Sequence, residues 1–464
     1  MIYKIRFFLG LFSSKLLLFI YKIIGNSRDD KPGLLAYRFD DKFLEHLNKP
    51  KLVIGITGTN GKSTVSSILN DFMVLENKKV AYNDWFANTL AGHARCLLDA
   101  VTIFNKPRKD VAILEMDELT LPDTLPYAKV DYLIVTNICR DSIRRNAYPS
   151  FILSKIEEAI NMSKDTVLIL NADDPISSFI KCNNKKIYYS INKTRDEIYN
   201  YNINDFALCP KCHSKIVYDY QHYRHIGKMH CINCNFKSIK ANYIINNIDY
   251  ENKEIEISKY KYPILSTSIF NIFNELSVIA LLKELKFNDK VIAKNMKKIK
   301  IPITREDSIK VNGIDIDLQI TKGQNVAATS TIFEQISHKK ENIEIVLIIN
   351  EVSCVKEKTE TVTYLYETDF EFLNRDNIKK IIIGSYLALD YKIAMMMAGI
   401  NEDKIVIAKD EEDTVNYVTF DNIDKIMILY DVDYLTGSKK IRDKIVEKLK
   451  GERNENWNII WRYY

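Results

Sequence analysis

A glycine-rich segment near the start of the chain combines a lysine with hydroxyl groups in a spacing suited to phosphate chemistry. It reads Thr57-Gly58-Thr59-Asn60-Gly61-Lys62-Ser63-Thr64. Glycines let the backbone approach a phosphate closely, Lys62 supplies a positive charge, and the Ser63 hydroxyl can ligate Mg²⁺. The residue five positions before Gly61 is Ile56, so the segment departs from the strict P-loop spacing. We still predict a nucleotide-binding loop, because a lysine and hydroxyls at this junction have no packing role.

Acidic residues follow a second apolar run. Glu115 ends the run 110–115 and is followed by Asp117 and Glu118. Carboxylates at the end of a strand can hold a magnesium ion that bridges nucleotide phosphates. A solvated acidic loop is the alternative, and it is disfavoured because a phosphate loop is predicted at the same edge of the sheet. We therefore predict that Ser63 and Glu115 hold magnesium.

The segments that carry these residues alternate between two patterns. Apolar, β-branched runs at 51–57, 110–115, 131–137 and 166–171 predict short strands, whereas 63–75 has apolar residues at helical spacing. Strands in series with intervening helices predict an α/β fold with a mostly parallel sheet, covered on both faces. Such sheets bind ligands beyond the carboxyl ends of their strands. The runs end there on polar residues: Thr57, Glu115, Asn137 and Asn171.

Four of the eight cysteines form two close pairs. Cys209 and Cys212 make one pair, Cys231 and Cys234 the other, and 18 residues separate them. This spacing is typical of tetrahedral structural zinc in a small ribbon, where four thiolates leave no ligand position for water. A site of three cysteines and one histidine, or two disulfides, are alternatives. The same insert contains four histidines, most of which we expect at the surface: His213, His222, His225 and His230.

The composition is that of a large globular protein from a reducing compartment. The 464 residues exceed one typical domain, and the hydrophobic fraction of 46% with 27% charged residues excludes a disordered chain. A net charge of +5 is too small to argue for nucleic-acid binding. Cysteines grouped as metal ligands, rather than spread as a disulfide scaffold, indicate the cytoplasm.

The first 25 residues form a basic, apolar segment. Ser13, Ser14 and Lys15 interrupt it, and neither apolar piece reaches the roughly 20 residues that a membrane-spanning helix needs. No small-residue cleavage pattern follows. We expect a packed or interfacial amphipathic helix, with a membrane span and a signal peptide as alternatives. The side chains expected at a membrane surface are Phe7, Phe8, Leu17, Leu18 and Phe19.

These segments together resemble the Mur ligase superfamily, whose members use ATP to activate a carboxylate as an acyl phosphate and then join it to an amine. The glycine-rich loop, Glu115 and the segment 270–274 fall in the order of that superfamily. Within it, the chain is most similar to the MurT family. Four features carry this resemblance: the four-cysteine insert, Ala87-Asn88 ahead of Gly92, the intact segment 170–175, and Thr136-Asn137 followed by Arg140-Asp141.

The resemblance implies a domain organisation and a set of site residues. It implies an N-terminal amphipathic helical segment at 1–45, a central ATP-binding domain at 46–302 with a zinc-ribbon insert at about 203–240, and a C-terminal Rossmann-like α/β domain of MurT type at 303–464. The implied catalytic residues are Lys62, Glu115 and Glu360. The implied nucleotide-binding residues are Gly58, Thr59, Asn60, Gly61, Lys62, Ser63, Thr64, Asn271, Asn274 and Arg305.

The resemblance also implies an activity, cofactors and a partner. MurT-type chains are the ligase-like subunits that amidate the D-glutamate of lipid II at the inner membrane face, using ATP and Mg²⁺. Their ammonia comes from a GatD-like glutamine amidotransferase, whose Cys–His pair Glu360 is expected to complete. No glycine-rich nucleophile elbow surrounds any remaining cysteine, so the glutaminase must be a separate chain. These cysteines are Cys96, Cys139, Cys182 and Cys354.

Two alternatives remain from the sequence. The first is a stand-alone amino-acid ligase of the Mur or folylpolyglutamate type, which would carry a histidine after the strand that ends at Asn137. No histidine occurs between His93 and His213, which disfavours it. The second is a catalytically silent, nucleotide-binding scaffold, suggested because the sequence around Lys322 and after Asp141 departs from the family pattern.

Overall fold

The structure is a computed structural model, and it describes residues 2–25, 29–83, 87–141, 148–194, 201–301, 306–321, 323, 325–349, 362–431 and 434–460. The chain forms two compact units. The first comprises residues 1–139, 148–199 and 204–301, and the second comprises residues 140–147, 200–203 and 302–464. Each unit has its own β-sheet with helices packed against it.

The first unit contains most of the predicted elements. Its helices are α1 (Ile2–Ile23), α2 (Lys31–Phe39), α3 (Phe43–His46), α4 (Lys62–Leu75), α5 (Leu90–Asp99), α6 (Leu121–Ala128), α7 (Pro149–Met162), α8 (Ile269–Glu284) and α9 (Asp289–Met296). Its strands are β1 (Leu52–Thr57), β2 (Val80–Tyr82), β3 (Val111–Glu115), β4 (Tyr132–Val135), β5 (Val167–Asn171), β6 (Lys186–Ile191), β7 (Ile216–Tyr223), β8 (Ile226–Cys231), β9 (Tyr243–Asp249), β10 (Glu254–Ile257) and β11 (Tyr260–Pro263).

Nine of these strands form one sheet in the order β11-β10-β9-β6-β5-β4-β1-β3-β2. Every neighbouring pair from β2 to β9 is parallel, and β10 pairs antiparallel with both β9 and β11. One face packs against α4 and α8, and the other against α5, α6 and α7. Burial on both faces explains why the strand sequences are continuous apolar runs, and the expected parallel α/β fold is confirmed.

The cysteine insert folds as an antiparallel hairpin of β7 and β8, outside the main sheet. At its base, Cys209 and Cys231 are buried with Ile216, Met229 and Phe236 in a small cluster of their own.

Helix α1 packs on α2, α3 and α5 instead of standing apart from the unit. Phe7, Leu11, Ser14 and Leu18 are buried against these helices. The expectation that Phe7 and Leu18 face a membrane is therefore wrong, because their helical spacing places them on the inner face. An opposite apolar stripe is exposed and includes Ile5, Phe8, Phe12, Leu16, Phe19 and Ile23. Among the described helices, none is long and apolar enough to cross a membrane.

The second unit is a smaller α/β structure. Its strands are β12 (Glu306–Val311), β13 (Ile314–Thr321), β14 (Ile343–Ile348), β15 (Ile378–Ile383), β16 (Ile405–Ile407) and β17 (Lys425–Asp431), and its helices are α10 (Val326–Ser337), α11 (Thr363–Glu367), α12 (Ala388–Met397), α13 (Thr414–Tyr417) and α14 (Leu435–Ile460). The sheet order is β12-β13-β17-β14-β15-β16. Only β12 pairs antiparallel among these described strands.

Two residues that follow β4 in the sequence belong to the second unit. The Arg140 guanidinium lies 2.7 Å from the Glu367 carboxylate, and the Asp141 carboxylate accepts a 3.1 Å hydrogen bond from Asn325. The Arg140-Asp141 motif is therefore anchored by side chains of α11 and of the segment that precedes α10.

Candidate functional site

The glycine-rich loop lies between β1 and α4, and its two glycines are required by geometry. Gly58 has a φ of 121°, and a Cβ there would lie 2.4 Å from the Thr136 hydroxyl. Gly61 has a φ of 91°, and a Cβ there would lie 2.2 Å from the Asn274 amide oxygen. Other residues rarely adopt such positive φ values. The loop conformation is therefore fixed by neighbours from β4 and α8.

Residues at the end of β4 hold the loop through hydrogen bonds. Thr136 Oγ1 and Asn137 Nδ2 donate to the Asn60 carbonyl at 2.6 and 3.0 Å, and Thr59 N donates to the Asn137 carbonyl at 2.8 Å. The Thr59 hydroxyl donates to the Cys139 carbonyl and accepts from the Cys139 amide, at 3.1 and 3.0 Å. The first-turn amides of α4 have no intrahelical acceptors, so this fixed loop presents an anion-binding helix N-terminus.

Lys62 carries the positive charge of the site. Its Nζ donates to Glu118 Oε1 at 2.9 Å and to the Gly58 carbonyl at 2.5 Å. Burial by itself would lower the pKa of Lys62, but the carboxylates of Glu118, Glu115 and Asp117 outweigh it and raise the pKa above its usual value. The ammonium therefore stays charged beside the loop, which is the state that binding a phosphate would require.

Ser63 and Glu115 lie together, as predicted for a magnesium site. The Ser63 hydroxyl, in the first turn of α4, donates to Glu115 Oε1 at 3.1 Å. A hydroxyl and a carboxylate are hard oxygen donors, the ligand type that Mg²⁺ prefers, and Mg²⁺ commonly takes only one or two protein ligands beside a nucleotide. The donor set therefore fits the ion. Thr64 is the next residue of the same turn and is partly exposed.

The backbone of Glu115 is locked by two side chains that the sequence analysis did not identify. Asn83 accepts from the Glu115 amide at 2.7 Å and donates to its carbonyl at 2.8 Å. His93 Nε2 donates to the same carbonyl at 2.8 Å, and burial lowers the pKa of His93 to about 4. A neutral imidazole is therefore part of the support for Glu115. Neither residue lies in a recognisable local motif, so only the folded contacts identify them.

The predicted nucleotide-binding residues beyond the loop have different outcomes. Asn274 on α8 abuts Gly61, and its amide donates to Asn271 Oδ1 at 3.4 Å. Asn271 in turn donates to the Ser266 hydroxyl at 3.3 Å. The structure therefore brings Asn274 directly to the loop and Asn271 one contact away. The other predictions, Arg305 and Glu360, lie outside the described residues.

The four cysteines of the insert converge. Their sulfur atoms all lie within 4.8 Å of one another, with Cys209–Cys234 at 3.6 Å and Cys212–Cys231 at 3.4 Å. A disulfide requires about 2.05 Å, so the disulfide alternative is wrong. Four sulfurs at this spacing fit one tetrahedral metal ion.

The histidines of the insert divide into two pairs. His213 and His230 are exposed, as expected, whereas His222 and His225 are buried, so the surface expectation is wrong for half of them. The two buried histidines lie at the tip of the hairpin. Among the described residues, the group of side chains that could hold a metal ion consists of the four cysteines and includes no histidine. This disfavours a site of three cysteines and one histidine.

Comparisons with known proteins match both units. The Mur ligase middle domain model matches residues 56–282, and the MurT ligase C-terminal model matches residues 323–433. The MurT subunit of lipid II isoglutaminyl synthase from Staphylococcus aureus is 27% identical over 393 residues, which cover 84% of this chain and 87% of that protein. The chain is a MurT-like Mur ligase.

Other relatives of this MurT-like ligase agree in extent and fold. The Streptococcus pneumoniae MurT subunit of the same synthase is 24% identical over 415 residues, covering 88% of this chain and 91% of that subunit. A solved pseudomurein peptide ligase type C from Methanothermus fervidus superposes with a TM-score of 0.65 and 22% identity, over 87% of this chain and 81% of that one. This MurT-like chain is an ATP-dependent ligase, and its family uses ATP and Mg²⁺.

Proposed function

We propose that this MurT-like ligase amidates the D-glutamate α-carboxylate of the lipid II stem peptide through an acyl phosphate. The observation that carries the proposal is the pairing of an ATP site of Mur ligase type with a C-terminal region that matches the MurT model. Two named relatives are subunits of a glutamine-hydrolysing lipid II isoglutaminyl synthase, and they align over most of both chains.

The site geometry supports this chemistry because the first step brings two anions together. A carboxylate that attacks the γ-phosphate of ATP is repelled by it, so positive groups must surround both. Lys62 and the first-turn amides of α4 supply such groups at one edge of the sheet. Ser63 and Glu115 would hold magnesium, which would neutralise phosphate charge when bound. Loop residues Gly58 to Thr64 would position the phosphates.

The amine is proposed to be ammonia delivered by a GatD-like glutamine amidotransferase in a heterodimer. Cys96 is buried within α5, and Cys139 is buried beside the loop. Neither position suits a glutaminase nucleophile, which must be reachable by glutamine and activated by a nearby base. Glu360 is proposed to orient the partner's catalytic histidine, as the acid does in other triads. This part of the proposal rests on the family resemblance.

We further propose that the ribbon binds structural zinc and that the protein works in the cytoplasm at the inner membrane face. The four-sulfur geometry supports zinc because a closed thiolate site leaves no position for substrate. The exposed apolar stripe of α1 supports a peripheral membrane position, where a lipid-linked acceptor is found.

The test reconstitutes the purified chain with a GatD-like amidotransferase, ATP and lipid II, and follows amidation by mass spectrometry. Parallel reactions replace glutamine by ammonium, and lipid II by its soluble nucleotide-linked precursor. Amidation of lipid II with both nitrogen sources supports the proposal, and amidation of the precursor alone reassigns the acceptor. ATP-dependent addition of an amino acid without the partner would instead indicate the amino-acid ligase. Nucleotide binding without turnover on any acceptor would indicate the scaffold.

A further inference from the structure

The tip of the metal ribbon is buried inside the first unit. All seven residues from 221 to 227 are buried, although most of them are polar. His225 is only 2% exposed. The strands β7 and β8 connect this tip to the cysteine cluster, and β7 spans about 24 Å at the usual rise per residue. A ribbon that served only as a surface module would leave such a tip in water.

His225 at the tip contacts the backbone that follows β4. Its Nε2 lies 3.1 Å from the Ile138 carbonyl and 3.5 Å from Asp174 Oδ1. Both neighbours are oxygen acceptors, so Nε2 carries the proton and donates. The other Asp174 oxygen accepts from the Ile138 amide at 2.8 Å, and the Gly227 amide donates to the Asp173 carbonyl at 2.8 Å. His225 at the tip therefore holds the carbonyl of Ile138, and Asp174, which follows β5, holds its amide.

Ile138 is one residue from the contact that fixes the nucleotide loop. The amide and carbonyl of Cys139 bracket the Thr59 hydroxyl, at 3.0 and 3.1 Å. A shift of Ile138 would move the Cys139 backbone, and with it the anchor of Thr59. His225 is thus connected to the phosphate-binding loop through Ile138, the adjacent Cys139 backbone and the Thr59 hydroxyl.

The tip also packs on the second element that borders the loop. The centroids of the Tyr223 and Phe270 rings lie 4.0 Å apart, and those of the His222 and Phe273 rings lie 5.2 Å apart. Phe270 and Phe273 both belong to α8. Helix α8 carries Asn274, which abuts Gly61. Both supports of the loop, the end of β4 and the start of α8, therefore contact the ribbon tip.

We propose that His225 is a positioning residue for the nucleotide loop and that a metal ion at the four cysteines increases nucleotide affinity through the β7–β8 hairpin. The inference rests on the proposed nucleotide site. The cysteine cluster fixes the base of the hairpin, the hairpin fixes its tip, and the tip fixes the backbone of Ile138. Loss of either end of this connection would loosen the loop without removing any group that touches a phosphate.

The test measures Mg²⁺–ADP binding to the full chain by calorimetry, together with zinc content and the thermal unfolding midpoint. His225→Leu removes the donor while keeping an apolar side chain of similar size, and His225→Gln keeps an N–H at a similar reach. We expect about five- to tenfold weaker binding for the leucine variant, the effect of one lost hydrogen bond, and recovery for the glutamine variant. His230→Leu, an exposed histidine on the same hairpin, is the matched control and should bind normally.

A second arm tests the role of the metal. The Cys209→Ser/Cys212→Ser variant should lose its zinc and bind the nucleotide more weakly, although neither of these two cysteines is hydrogen-bonded to the described residues of the loop. Adding His225→Leu to it should weaken binding little further, because coupled residues give non-additive effects. Additive losses, or unchanged affinity in the leucine variant with zinc retained, would overturn the inference. Absence of nucleotide binding in the wild-type chain would instead contradict the proposed function.

Discussion

At the scale of single residues, the ion pair between Lys62 and Glu118 makes the positive charge of the glycine-rich loop contribute to the stability of the fold. Both side chains are largely buried, at 13% and 1% exposure. Removing one partner of a buried ion pair leaves the other charge uncompensated, which costs about 3 kcal/mol or more. We therefore predict that Lys62→Ala abolishes ATP-dependent turnover and also lowers the free energy of unfolding measured by chemical denaturation.

The double variant Lys62→Ala/Glu118→Gln separates these two effects. It removes both charges, so we expect most of the lost stability to return while turnover stays absent. Turnover in the double variant would show that Lys62 does not serve the phosphates. Stability that stays low would show that Lys62 supports the fold through contacts other than Glu118.

Glu275 on α8 predicts a pH dependence of stability. The residue is fully buried, one carboxylate oxygen accepts from the Leu265 amide at 3.0 Å, and burial raises its pKa to about 8 from the ordinary 4.5. Between these pH values the folded state binds the extra proton, so the free energy of unfolding falls as pH rises. Glu275→Gln should flatten this decline and be more stable than the wild type at pH 8 to 9.

Denaturation curves at several pH values test this expectation. Glu251→Gln, at an exposed carboxyl that follows β9, is the control and should keep the wild-type pH profile. An unchanged pH profile in Glu275→Gln would mean that the carboxyl is ionised in the folded protein.

The loop residues could be predicted because their chemistry is local. A glycine-rich turn followed by Lys62 and Ser63 requires only backbone geometry and helix direction, both of which are encoded within a few residues. Asn83 and His93 could not be assigned roles, and Glu118, which was placed in the acidic cluster after β3, could not be matched to Lys62, because these partners are distant in sequence. Side-chain contacts of this kind depend on how strands are ordered in the sheet, which a single sequence does not reveal.

At the scale of elements, α1 has two apolar faces with different surroundings. Its inner face packs on the protein, Lys22 pairs with Asp99, and the outer stripe is exposed. The helix contains basic residues and no acidic residue, but Arg6, Lys15 and Lys22 bind groups of the protein, so the apolar stripe is the part that suits a lipid surface. Deleting it would expose the core, so a surface substitution is the better test.

We predict that Leu16→Glu weakens binding to anionic vesicles about tenfold, because it removes buried apolar area and adds a repelled charge. Sedimentation with phosphatidylglycerol vesicles measures this. Val74→Glu on α4, at a comparably exposed apolar position of 55% against 61% for Leu16, is the matched control. Equal binding by both variants and the wild type would contradict a membrane role for the stripe.

The strands and the helix after the loop were predicted within a few residues, since buried parallel strands have continuous β-branched runs. The hairpin tip was not, because polar residues such as His222 and His225 are usually exposed. The cysteine spacing predicts that the four cysteines come together, but it does not predict which residues the hairpin tip contacts.

At the scale of the whole molecule, the proposed complex predicts a separation of two activities. Glu360→Gln should reduce glutamine-dependent amidation, because a neutral amide orients a charged imidazolium poorly, while amidation from added ammonium stays unchanged. Mass spectrometry of lipid II with each nitrogen source measures both. Glu357→Gln, three residues earlier, is the control. Loss of both activities would place Glu360 in the ligase site instead.

The position of the four-cysteine ribbon in the chain has a consequence for biogenesis if the ribbon binds zinc as proposed. It occupies residues between β6 and β9, two neighbouring parallel strands, so the sheet is completed only after this long connection has been formed. Closing a long flexible connection is entropically costly and slow, and a prefolded ribbon shortens the part that remains flexible. Zinc-starved cells should therefore accumulate newly made chains that mature slowly and are cleaved by proteases near the ribbon before the last strands pair.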